Sequence, residues 1–92
     1  MNHRSILTDG EIEYSIKMVK DKIEVRLIEK MSGAYIGNHE TYGILAEEYK
    51  ELLDALQADD NVWFYAELLD IAVAAVLGMA SMYENKRARK DK

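Results

Sequence analysis

Glu48, Glu51, Glu67 and Asp70 stand in the pattern E-x-x-E, fifteen residues, E-x-x-D. Glu67 and Asp70 are the only charges between Val62 and Met82, in the most apolar stretch of the chain. An isolated carboxylate in such surroundings is costly to keep ionised unless a cation or hydrogen-bond donors compensate it. Residues three apart on a helix are neighbours, with Cβ atoms roughly 5–6 Å apart, so each pair can present two carboxylates to one spot. Four hard oxygen ligands suit Mg²⁺ or Mn²⁺. Held together without a cation, they would repel until one of them took up a proton. Magnesium bound by a few carboxylates keeps positions open for water and phosphate oxygens, and lowers the pKa of that water. The chemistry this favours is metal-assisted hydrolysis of a phosphoanhydride.

Three helices must position these acids, and the expected fold is all-α. Thr8-Asp9-Gly10-Glu11 is a capping box. Ile12, Ile16, Val19, Ile23, Leu27 and Met31 then recur at helical steps, until Ser32-Gly33 and Gly37 make a loop. A second helix is expected from Asn38, as N-cap, to about Gln57, with Leu45, Tyr49, Leu52, Leu53 and Leu56 on its core face. Glu48 falls about 40° from Leu52, at the edge of that face, and Glu51 lies one turn on. Glu47 and Asp54 point further toward solvent. Asp59-Asp60-Asn61 supplies a turn and cap, and a third helix follows from about Val62 to the mid-80s. Its small residues, Ala72, Ala74, Ala75, Gly78, Ala80 and Ser81, would let other helices approach closely. A short connection implies that helices two and three lie antiparallel, so the two acidic pairs can face each other.

Ninety-two residues make one small domain, yet 49% of them are hydrophobic. A core this small is marginal, and the apolar excess points to a partner surface and a homo-oligomer. The absence of cysteine excludes disulfides and thiolate metal sites. Met1–Thr8 has no apolar leader segment, and two acids inside the Val62–Met82 run weigh against a membrane span. A soluble, cytoplasmic protein without a membrane partner is expected. The formal charge is −5, but a basic tail from about Glu84 to Lys92 holds Lys86, Arg87, Arg89, Lys90 and Lys92. The remaining body carries seven basic and fifteen acidic residues. It attracts cations and repels bare polyphosphate, and no basic stripe with interleaved aromatics speaks for nucleic acid.

The stretch Ala46-Glu-Glu-Tyr-Lys-Glu-Leu-Leu-Asp-Ala-Leu, followed by Ala66-Glu-Leu-Leu-Asp-Ile-Ala-Val-Ala-Ala, resembles MazG-like nucleoside triphosphate pyrophosphohydrolases. These belong to the all-α NTP pyrophosphatases, whose signature is EExxE, a spacer, then ExxD. The resemblance covers roughly residues 38–80 and implies that Glu48, Glu51, Glu67 and Asp70 are Mg²⁺ ligands. It implies for Glu47 a part in orienting or deprotonating the attacking water. It further implies hydrolysis of (d)NTPs to monophosphate and pyrophosphate by dimers or tetramers of helical bundles. Family members commonly carry a short fourth helix whose Lys, Asn and Arg side chains hold phosphates. Here the third helix runs on into Glu84-Asn-Lys-Arg-Ala-Arg-Lys, where Asn85, Lys86, Arg87 and Arg89, with Lys50 further upstream, are the candidates for that task.

Blander readings stand beside these. Trp63, Phe64 and Tyr65 read as core or interface before they read as a base-stacking cluster, and Tyr42 and Tyr49 as packing. His39 is a loop residue beside a helix start, and neither histidine has the Glu-x-x-His spacing of a di-iron bundle. Two alternatives to the enzyme stay open: a catalytically weak nucleotide- or metal-binding module, and a structural helical oligomer whose acids another subunit's lysines or arginines neutralise.

Overall fold

The structure is a computed structural model and describes residues 4–29 and 33–90, for Arg89 and Lys90 the backbone alone. Met31 and Ser32, expected to close the first helix, lie outside the described residues, as do His3, Lys92 and the side chains of Arg89 and Lys90. Three helices, α1 (Asp9–Glu29), α2 (Asn38–Gln57) and α3 (Asn61–Lys90), make up an all-α fold with no strand among the described residues.

Each boundary has a local cause. The Thr8 hydroxyl accepts from Glu11 N at 3.2 Å and Glu11 Oε1 accepts from Thr8 N at 2.9 Å, which completes the capping box that starts α1. The Thr8 backbone N–H, and the Thr8 hydroxyl donating to the same Oε1 at 2.9 Å, hold the Glu11 carboxyl below its ordinary value. For α2 the N-cap is Gly37, in extended backbone, and Asn38 is already helical, a one-residue correction to the cap expected from sequence. His39 sits in the first helical turn, exposed.

The α2–α3 turn is the tightest piece of the fold. Asp60 N reaches Ala55 O at 3.2 Å and Asp59 N reaches Leu56 O at 3.1 Å, the paired bonds of a Schellman ending, with Asp59 in the left-handed region at φ 55°. Asp60 Oδ1 then accepts from Trp63 N at 3.0 Å and caps α3. One residue thus closes α2 and opens α3, and this fixes the two helices antiparallel. Two turns before Glu48, Thr41 meets Gly78: a Cβ added at Gly78 would lie 2.5 Å from Thr41 Cγ2. Of the small residues on α3, Ala74, Gly78 and Ser81 are buried, Ala72 and Ala75 half-buried, and Ala80 exposed.

α1 rests on α3 through the half-buried residues of its C-terminal half, among them Val19, Ile23, Arg26 and Leu27. Its N-terminal apolar residues Ile12 and Ile16 are exposed, so only half of the expected stripe is covered within the chain. The loop into α2 is stitched to α3: Tyr35 N donates to Ser81 Oγ at 2.9 Å, and Asn85 Nδ2 donates to Tyr35 O at 3.0 Å and to Ile36 O at 3.2 Å.

The inward face of α2 differs from the face expected. It consists of Thr41, Ile44, Leu45, Glu48, Leu52 and Ala55, while Tyr49, Leu53 and Leu56 are exposed. Placing residues about 100° apart puts Glu48 at the centre of this face, not at its edge. The fully buried apolar core is small: Ala55, Val73 and Ala74. α3 is, by length and composition alone, apolar enough to cross a membrane, with Glu67 and Asp70 inside the run.

Candidate metal centre

The hairpin brings the acids together through a simple register. Glu48 and Asp70 each lie eleven residues from Asp59, and Glu51 and Glu67 each lie eight from it. An antiparallel pair folded about that residue sets Glu48 across from Asp70 and Glu51 across from Glu67. One carboxylate oxygen from each of Glu48, Glu67 and Asp70 lies within 4.8 Å of the others. Glu51 borders this cluster from its exposed position, and Glu67 beside it raises the Glu51 carboxyl above its ordinary value.

Glu67 is the buried member, 7% exposed. Its Oε2 and the Oε2 of Glu48 are both buried and have no hydrogen-bond partner among the described residues. Burial pushes the Glu67 carboxyl up, and Glu48 adds to the rise. Carboxylates in reach of each other offer acceptors only; one must hold a proton, or a cation must lie between them, before either is satisfied. Buried polar groups are otherwise nearly always paired, so a proton held between the two carboxyls or a cation at the seam would satisfy these oxygens. An all-oxygen set fits a hard divalent cation such as Mg²⁺ or Mn²⁺.

Glu47 is exposed on α2, one turn from Glu51 and outside the three-residue cluster. Lys50 is exposed, about 160° round the helix from Glu48. Asn85 holds the loop carbonyls of Tyr35 and Ile36, and Lys86 lines an open cavity of about 800 Å³ with Gly37, Asn38 and Met82. Fifteen helical residues separate Asn85 from Asp70, roughly 22 Å along the axis. Within one chain, therefore, Lys50, Asn85 and Lys86 are not gathered around the acids. Trp63 and Tyr65 are exposed and Phe64 half-buried at the start of α3.

Sequence reasoning passed over Arg26. Its Nη2 lies 3.7 Å from Asp70 Oδ1, too long for a hydrogen bond but close for an ion pair, with both side chains about one quarter exposed. Among the described residues it is the one cation at ion-pair distance from the four carboxylates. A signal was present: Arg26 interrupts the apolar stripe of α1, three residues after Ile23. Tyr35 completes the surroundings. Its half-buried phenol is raised by burial first, with Arg26 opposing the rise and Glu40 and Glu48 adding to it.

Comparison with family models, curated proteins and solved structures finds no match to this chain.

Proposed function

We propose that this chain is a MazG-like, metal-dependent nucleoside triphosphate pyrophosphohydrolase acting as a cytoplasmic homo-oligomer. The observation that carries this reading is the buried, unpartnered Oε2 of Glu67 at the meeting point of Glu48 and Asp70. Glu48, Glu67 and Asp70 would hold Mg²⁺ or Mn²⁺, with Glu51 at the rim. Bound there, the cation supplies an activated water and neutralises charge on a phosphoanhydride. The bond broken joins the α and β phosphates; the water oxygen ends on the monophosphate, and pyrophosphate leaves. Glu47 is the residue assigned to receive the water proton from the exposed side.

The exposed apolar surface supports self-association. The chain's accessible area is 7883 Å², against about 5,500 Å² for a compact monomer of this mass. Its radius of gyration is 15.9 Å, against about 12 Å for 92 compact residues. Ile12 and Ile16 on α1, Tyr42, Tyr49, Leu53 and Leu56 on α2, and Val62, Leu68 and Met79 on α3 are all exposed. A second copy would cover such rows. Glu67, directed into the α2–α3 seam, favours a helix of a soluble assembly over a membrane span.

The deciding experiment is pyrophosphate release from canonical and modified (d)NTPs with Mg²⁺ or Mn²⁺. Metal-dependent release that Glu48→Gln and Asp70→Asn abolish, at unchanged helix content, is the expected result; full activity in either variant would overturn it. One observation favours a second reading, a binding or structural helical oligomer: Asn85 is engaged with the loop, and among the described residues Lys50, Asn85 and Lys86 do not gather around the acids in one chain. Tight Mg-nucleotide binding without product would select the binding module, and indifference of stability to metal would select the structural one.

A further inference from the structure

Arg26 enters the acidic site from α1, the helix that otherwise only leans on α3. The ion pair with Asp70 is single and long, which leaves most of a five-donor guanidinium uncommitted to carboxylate oxygens. Its partner is itself one of the three clustered acids. A divalent cation at that cluster and a guanidinium compete for Asp70, and two like charges so close call for an anion between them. Planar guanidinium forks bind phosphate oxygens bidentately. The acidic body repels bare polyphosphate, so an anion reaches this place only together with a cation and a local positive group.

We infer that Arg26 is the phosphate-binding residue of the carboxylate site: it leaves Asp70 to the metal and takes the oxygens of the metal-bound phosphate. This rests on the metal-centre reading above and adds to it the group that receives the substrate's anionic end. Tyr35, whose backbone is held to α3 through Ser81 and Asn85, lies near enough to Arg26 for the two side chains to interact electrostatically. α1 thereby joins the site, although it supplies no acid to the metal cluster.

The test is calorimetric titration of the full chain with Mn²⁺ alone, and then with inorganic pyrophosphate at saturating Mn²⁺. Arg26→Gln removes a competitor for Asp70, so Mn²⁺ should bind several-fold tighter. Pyrophosphate should bind about tenfold or more weaker, the loss expected for a charge-assisted hydrogen bond. Arg26→Lys keeps the charge without the fork and should fall between wild type and Arg26→Gln for pyrophosphate. These opposite signs cannot arise from a merely structural arginine, whose loss would weaken both ligands together. Unchanged pyrophosphate affinity in Arg26→Gln, or parallel weakening of both, overturns the inference while leaving the metal centre standing. If the wild-type chain binds no Mn²⁺, the metal centre itself fails, and this inference with it.

Discussion

Glu48 and Glu67 stand across the α2–α3 seam from each other, each with a buried Oε2 that no donor among the described residues reaches. A cation bound between them, as proposed, would make stability depend on it. Mg²⁺ or Mn²⁺ at a hundredfold excess over its Kd should stabilise the fold by about 2.7 kcal/mol relative to EDTA. For a domain of this size that corresponds to an increase in Tm of about 10 °C or more. Glu67→Gln should leave the metal-free protein about 1 kcal/mol more stable, because a buried charge is gone, and should erase most of the gain from metal. Differential scanning calorimetry with and without metal reads both effects. Equal Tm values in EDTA and metal would count against any cation at this seam.

The same acids set the pH dependence. Burial and Glu48 raise the Glu67 carboxyl above its ordinary value of 4.5, and Glu67 raises Glu51. Between the unfolded value and these raised folded values, the folded state holds more protons than the unfolded one. Without metal, stability contributed by these groups is therefore present below the ordinary glutamate range and is lost as pH rises through the folded values. Bound metal should reverse the slope, since it requires the deprotonated acids. Urea denaturation across the acidic-to-neutral range, with and without Mg²⁺, checks the two signs.

The three helices, their boundaries to within a residue at the α2 cap, and the acidic motif were legible in the sequence because they depend on local chemistry. Thr8 and Glu11 form the capping box their spacing announces, and Asp60 caps α3 as its position in Asp59-Asp60-Asn61 implies. The placement of Glu48 was less legible. Averaging the apolar residues of α2 draws its core face toward Tyr49, Leu53 and Leu56, which are exposed in the chain, and so moves Glu48 to the edge. Two apolar rows lie on one helix, and hydropathy alone does not separate the row that meets α3 from the other. Arg26 was missed for a related reason: which side chains of α1 meet Asp70 depends on how α1 crosses α3, and no spacing within either helix encodes that crossing. The symmetry of the acids about Asp59, by contrast, was readable once the turn was placed.

Gly78 sets the separation of α2 and α3 two turns from the acids. Gly78→Ala places a Cβ 2.5 Å from Thr41 Cγ2, so the Thr41 side chain or the helices themselves must shift, at a cost of about 1–3 kcal/mol. Adding Thr41→Ala should restore more than half of that loss, a coupling that a double-mutant cycle by urea denaturation measures. Gly78→Ala alone should also reduce the metal-dependent rise in Tm, because Glu48 moves with α2. An additive pair of substitutions would place the close approach elsewhere.

Asp59 holds a left-handed conformation at the turn that fixes the register of all four acids. Asp tolerates this region better than most residues, and β-branched residues tolerate it poorly. Asp59→Gly should therefore be neutral or stabilising by some tenths of a kcal/mol, with backbone relief offset by the entropy of glycine in the unfolded chain (roughly 0.5–1 kcal/mol). Asp59→Val should cost about 1–2 kcal/mol. Urea denaturation ranks the three proteins; a valine variant as stable as wild type would remove the turn's strain from the account.

The exposed row of α2 gives the last prediction. Tyr49 and Leu53 are 68% and 46% exposed, on the side of α2 turned away from α3. Isolated exposed apolar residues are ordinary, but here they line up with Tyr42 and Leu56 in a contiguous patch. Since the fully buried apolar core among the described residues is Ala55, Val73 and Ala74, most of the apolar surface available to stabilise the fold lies in such patches. Light scattering should give a mass of at least two chains for the wild type. Leu53→Lys with Tyr49→Lys should drive the protein toward monomer and lower its Tm, and that Tm should become concentration-dependent where the two species coexist. A wild-type monomer with an undiminished Tm on dilution would mean that the small core suffices by itself, and the oligomer would have to be abandoned.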